Sequence, residues 1–110
     1  DPKTQEIVIE GTMLHPAKGN ADVLAVTNDF EGDFTMKFVL KSDLGELAQL
    51  PVSVFLDNIH KMTVSVQGTN GKWVEESRIL NMGFGHNHYI KFYYGADNLE
   101  IKEIVLIPNR

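Results

Sequence analysis

The dominant period along the chain is two. Phe34, Met36, Phe38 and Leu40 alternate with Thr35, Lys37 and Val39, the spacing of a strand that lays one face on a core. Met62, Val64 and Val66 alternate in the same way with Thr63 and Ser65, and that run stops at Gly68-Thr69-Asn70-Gly71, where Asn-Gly predicts a hairpin turn. Residues 51–56 are almost continuously apolar, which predicts a strand covered on both faces. Past the turn, Trp73-Val74 and Ile79-Leu80 continue the strand pattern until Gly83 and Gly85 interrupt it. Residues 88–94 then place Tyr89, Lys91 and Tyr93 on one face and Ile90, Phe92 and Tyr94 on the other. Residues 99–107, rich in Ile, Leu and Val, predict the last strand, and 6–10 and 23–27 predict two shorter ones near the start. Helix signals are confined to 42–48, where Ser42 could cap two turns at most.

Seven or eight short strands with Gly, Asn and Asp turns and no internal repeat predict an all-β chain, an antiparallel β-sandwich of jelly-roll type. A length of 110 residues at 43% hydrophobic and 23% charged content fits one core, so residues 1–110 read as a single domain. Fifteen acids against ten bases give a net charge of −5, and the bases are scattered singly from Lys3 to Arg110. Phosphate neutralisation needs clustered Lys and Arg, so nucleic acid is not an expected partner. An anionic membrane surface is disfavoured for the same reason. No apolar run approaches the ~20 residues of a membrane-spanning helix. The start Asp1-Pro2-Lys3 does not read as a secretory signal, so export would require a leader already removed or a longer parent chain. With no cysteine, disulfides, thiol nucleophiles and thiolate metal sites are excluded.

Catalytic templates are missing. There is no Gly-x-Ser-x-Gly elbow, no phosphate loop ending in Gly-Lys-Ser/Thr and no His-Glu-x-x-His. His86-Asn87-His88 could put two imidazoles on one strand face at chelating distance, or be a polar turn leading into a strand. His15 and His60 stand alone and read as solvated loop residues. Asn28-Asp29-Phe30-Glu31-Gly32-Asp33 is spaced like oxygen donors for a hard cation, yet lacks the EF-hand pattern and reads equally as a solvated acidic turn.

Aromatic residues are the remaining resource. Sugars present apolar C–H faces that stack on exposed rings while their hydroxyls need polar side chains alongside. Trp73, the only Trp, follows Gly71-Lys72 at a strand edge, where it is either a core anchor or an exposed platform. Tyr89, Tyr93 and Tyr94 supply further rings, and Asn98 precedes the last strand.

The stretch from Phe34 to Ile107 resembles the galactose-binding-like jelly rolls, and most nearly the carbohydrate-binding modules of families 6 and 35. The likeness is carried by Phe34-Thr35-Met36-Lys37-Phe38, Val52-Ser53-Val54-Phe55-Leu56-Asp57 and Gly71-Lys72-Trp73. It continues through Gly85-His86-Asn87-His88-Tyr89-Ile90-Lys91-Phe92 and Asn98-Leu99-Glu100-Ile101-Lys102-Glu103-Ile104. The resemblance implies a non-catalytic module that binds a poly- or oligosaccharide, extracellular or at the cell surface, within a multidomain parent protein. It implies that Trp73 and Asn98 hold the ligand, with Asp97, Tyr93 and Phe30 as further contacts, Phe30 standing where the family carries a Tyr. It also implies a structural Ca²⁺ held by Glu10 and Glu100. Two other readings stay open: a structural or protein-interaction sandwich whose exposed rings anchor a partner, and a small metal-dependent enzyme using His86 and His88.

Overall fold

The computed structural model describes residues 5–109; the Asp1-Pro2-Lys3 start and Arg110 lie outside them. Eight strands form two four-stranded sheets, with every pairing antiparallel. The first sheet has the order β1 (Ile7–Glu10), β8 (Glu100–Pro108), β3 (Asp33–Lys41), β6 (Val74–Asn81). The second has the order β2 (Ala21–Thr27), β7 (Asn87–Tyr94), β4 (Gln49–Leu56), β5 (Ile59–Gln67). This is the predicted jelly-roll sandwich. Its core lies where the period-two pattern puts it: Phe34, Met36, Phe38 and Leu40 of β3 are fully buried, and Ile90, Phe92 and Tyr94 of β7 face them. Phe38 meets Phe92 edge-on across the sheets, with ring centroids 6.1 Å apart.

Several expectations are corrected. β4 buries one face only: Leu50, Val52, Val54 and Leu56 go into the core while Pro51, Ser53 and Phe55 are half-exposed. The strand with consecutive buried residues is β8, whose Ile104, Val105 and Leu106 lie between β1 and β3. Asn70-Gly71 does turn the chain, both residues having positive φ, but it carries it from β5 in one sheet to β6 in the other. The two-residue hairpin is Asp57-Asn58 between β4 and β5, with φ of 50° and 67°, the left-handed pair a type I′ turn requires. No helix forms over 42–48. There the Ser42 hydroxyl accepts a hydrogen bond from the Leu44 amide, and Ala48 N–H turns back to Gly45 O. The one helical turn among the described residues is a 3₁₀ turn at Gly11–Met13.

Because each strand reverses the direction of the one before it, successive connections alternate between the two ends of the sandwich. Connections 11–20, 42–48, 68–73 and 95–99 share one end. Connections 28–32, 57–58 and 82–86 share the other, together with the start of β1 and the finish of β8.

Candidate functional site

The end formed by 11–20, 42–48, 68–73 and 95–99 is held by main-chain hydrogen bonds. Asn70 N–H donates to Leu44 O and Gly71 N–H to Ser42 O, at 2.9 and 2.8 Å. Buried Thr69 adds a side-chain link: its hydroxyl accepts from Ser42 N–H at 2.9 Å and donates to Ser42 O at 3.0 Å. Those bonds fix the approach to Trp73. The third corner is set by Tyr94, whose buried hydroxyl donates to Asp22 Oδ2 at 2.6 Å, while Asp22 also accepts the His15 N–H and pairs with the His15 ring. Burial pushes the Asp22 carboxyl up, but the hydrogen bonds from Tyr94 and His15 outweigh it and hold the group below the usual carboxylate range. Burial, and then Asp22, raises the Tyr94 phenol well above its ordinary value. His15 is a solvated loop residue, as expected, and its ring and N–H both meet Asp22.

Trp73 is 47% exposed and so is not a core anchor. The β3/β6 register pairs Leu40 with Val74, and the β3/β8 register pairs Lys41 with Glu100, so Glu100, Lys41 and Trp73 follow one another across three neighbouring chain segments. Lys41 Nζ lies 3.1 Å from Glu100 Oε2 and 4.7 Å from the Trp73 ring centroid. Two open hollows flank this row. One, of about 400 Å³, is lined by Trp73, Gly11, Pro16, Leu99, Glu100 and Ile101. The other, of about 160 Å³, is lined by Asn98, Asp43, Ser42, Lys41, Leu99 and Glu100. Asn98 has φ of 64°, a left-handed conformation Asn tolerates better than most side chains, and it is exposed at the mouth of the smaller hollow. An aromatic face, an amide and two carboxylates thus share one shallow surface, with the Lys41 ammonium over the indole.

Trp73, Asn98 and Asp97 lie at one end of the sandwich, Trp73 and Asn98 lining adjacent hollows; Phe30 and Tyr93 lie elsewhere. Phe30 lies in the connection 28–32 at the opposite end, half-buried against the core. Tyr93 is on the outer face of the second sheet, beside Ala21 and Ser53. Asp97 is exposed on the right loop, but its Oδ1 accepts the Lys18 N–H at 2.9 Å and ties 11–20 to 95–99. Glu10 stands opposite Glu103 in the β1/β8 register, while Glu100 pairs with Lys41. No group of three or more His, Asp or Glu side chains able to hold a metal exists among the described residues.

The histidine pair is also dispersed into structure. His86 Nδ1 faces Asn28 O at 2.9 Å; His88, 7% exposed, has Nδ1 at 2.6 Å from Asp57 Oδ2 and Nε2 at 3.2 Å from Gly85 O. In the acidic turn, Asn28 Oδ1 accepts from Phe30 N–H, Glu31 from Gly85 N–H and Asp33 from Asn81. His60 is exposed and stacks edge-on against Phe55. Lys41, Asp43 and the role of Glu100 escape a reading of the sequence. The alternation in β3 marks Lys41 as outward-facing, but only the strand order β8-β3-β6 puts it between Glu100 and Trp73.

No family model matches the sequence, and no curated protein is significantly similar to it. Solved structures do match. The C-terminal family 6 carbohydrate-binding module of a marine laminarinase from Zobellia galactanivorans superposes with a TM-score of 0.78 at 16% identity, covering 94% of this chain and 99% of that one. A family 6 module of Cellvibrio mixtus lichenase 5A, solved with cellotriose, gives 0.71 at 14% identity, covering 86% and 74%. A β-glucosidase from Paenibacillus barengoltzii gives 0.68 at 24% identity, covering 96% of this chain and 10% of that one. The fold is that of the family 6 and family 35 carbohydrate-binding modules.

Proposed function

We propose that this chain is a non-catalytic carbohydrate-binding module that takes a poly- or oligosaccharide at the end bearing Trp73 and Asn98. The observation that carries the proposal is a half-exposed indole placed next to a hollow lined by Asn98, Asp43 and Glu100. Stacking on Trp73 supplies affinity and the polar groups supply orientation. A surface this shallow suits binding better than chemistry, and the two histidines a metal enzyme would use are spent on Asp57, Gly85 and Asn28. Micromolar to millimolar dissociation constants are expected, about −4 to −8 kcal/mol. A place within a larger carbohydrate-active enzyme or surface protein, outside the cell, belongs to the same proposal. It is supported by the fold's occurrence as a tenth of the β-glucosidase chain.

Titration of Trp73 fluorescence with cellotriose, laminaritriose, xylotriose and a glucuronic acid-bearing xylo-oligosaccharide tests it. Saturable fluorescence change in the native protein, lost in Asn98→Gly, is the expected result; Trp73→Ala, which lacks the only Trp, is titrated by calorimetry and should release no binding heat. Glycine removes the amide while keeping the left-handed backbone at ease. A folded protein with no response to any glycan would leave the protein-interaction reading, which rests on Phe84, 90% exposed at the opposite end.

A further inference from the structure

Lys41 has a position that neither stability nor a simple contact role accounts for. A cross-strand ion pair whose carboxylate is 65% and whose lysine is 28% exposed adds modestly to folding at most, yet this ammonium sits between the two elements a ligand would need together. Trp73 lines only the larger hollow and Asn98 only the smaller. Leu99 and Glu100 line both, and Lys41, from the wall of the smaller hollow, reaches Glu100 on one side and the Trp73 ring of the larger hollow on the other. A ring that stacks on Trp73 while its hydroxyls reach Asn98 has to cross that line. The ammonium 4.7 Å from the indole centroid also draws on the same negative ring face that a sugar's C–H groups would use.

Resting on the glycan-binding reading above, we propose that Lys41 is a displaceable plug, and that it determines the affinity and charge selectivity of the site. Ligand entry moves the ammonium off the indole and joins the two hollows. The Glu100 oxygen it leaves becomes an acceptor for a sugar hydroxyl. With Lys41 withdrawn, the lining carries the carboxylates of Asp43 and Glu100, so the ligand class is neutral glycans, and uronic or sulfated sugars are repelled.

Lys41→Met keeps the apolar stem and removes the charge. Its expected effect is roughly three- to tenfold tighter binding of the neutral trisaccharides, the size of one exposed ion pair and one cation–π contact. Salt provides a second signature. Going from about 0.1 M to about 1 M NaCl shortens the Debye length from ~10 Å to ~3 Å and loosens the Lys41–Glu100 pair. Neutral-ligand affinity should therefore rise with salt in the native protein and stay flat in Lys41→Met. Weaker binding in Lys41→Met would make Lys41 a direct donor to the sugar and overturn the plug. Equal binding together with a flat salt response in both proteins would make Lys41 a bystander and overturn the plug as well. Preferred binding of the glucuronic acid-bearing oligosaccharide by the native protein would overturn the charge selectivity. If no glycan binds either protein while both melt cooperatively, the glycan-binding reading fails and the plug fails with it.

Discussion

His88 Nδ1 and Asp57 Oδ2 lie 2.6 Å apart, joining a buried imidazole on β7 to an exposed carboxylate in the β4–β5 hairpin. The other oxygen of Asp57 accepts the Tyr89 N–H at 2.9 Å. The His88 hydrogen bond first, and the Tyr89 amide second, hold the Asp57 carboxyl below the usual carboxylate range. A carboxylate whose folded pKa is depressed contributes stability that is present above about pH 4, the unfolded value, and is lost as pH falls through the folded one. Asp22, depressed by Tyr94 and His15, acts in the same direction. The melting midpoint should therefore fall on acidification below about pH 4. Asp57→Asn, which tolerates the left-handed turn, should lower stability at neutral pH by about 1 kcal/mol and shallow the acid limb. An acid limb identical in Asp57→Asn and native protein would refute this assignment.

Tyr94→Phe removes a buried hydroxyl and leaves Asp22 one hydrogen bond short. The expected loss is about 1–2 kcal/mol. It should be accompanied by faster hydrogen exchange at His15, whose amide shares that carboxylate. Unchanged exchange there would show that the connection 11–20 is held by other contacts.

Gly68→Ala should be among the most damaging single-methyl additions. A Cβ there would run into the carbonyl oxygens of Gly45 and Leu44, both main chain and unable to give way cheaply. About 3 kcal/mol of destabilisation is expected, with weakened glycan binding because 42–48 and 68–73 would be forced apart. Gly45→Ala is the control, since its Cβ would meet nothing nearer than Asn70 Oδ1 at 3.8 Å. Equal melting temperatures for the two variants would contradict the packing described.

Chelation should leave the melting temperature unchanged, because Glu10 and Glu100 face Glu103 and Lys41 instead of each other. A drop of several degrees in EDTA, restored by Ca²⁺, would show that these carboxylates hold a cation with main-chain oxygens.

The strands are legible in the sequence because alternation is a local signal: Phe34 to Leu40 needs no partner to be read as half-buried. Pairing is not, because it depends on residues far apart in sequence. Asn70-Gly71 carries the signal of a hairpin and makes a turn between sheets, while Asp57-Asn58, lacking glycine, makes the hairpin without the signal. Trp73 and Asn98 emerge from the family resemblance and do share one end. Phe30 can be separated from them by counting strands: it follows an even-numbered strand, whereas Trp73 and Asn98 follow β5 and β7. The Lys41 position is beyond reach, since it requires knowing that β3 lies between β8 and β6.

The parity of the connections has a consequence for reach. Ile7 pairs with Leu106 and Phe34 with Pro108, so polypeptide leading into β1 or out of β8 departs from the end opposite Trp73. A tether attached there would hold the module by its foot and leave the Trp73 surface pointing outward. Linker length would then set how far that surface can search.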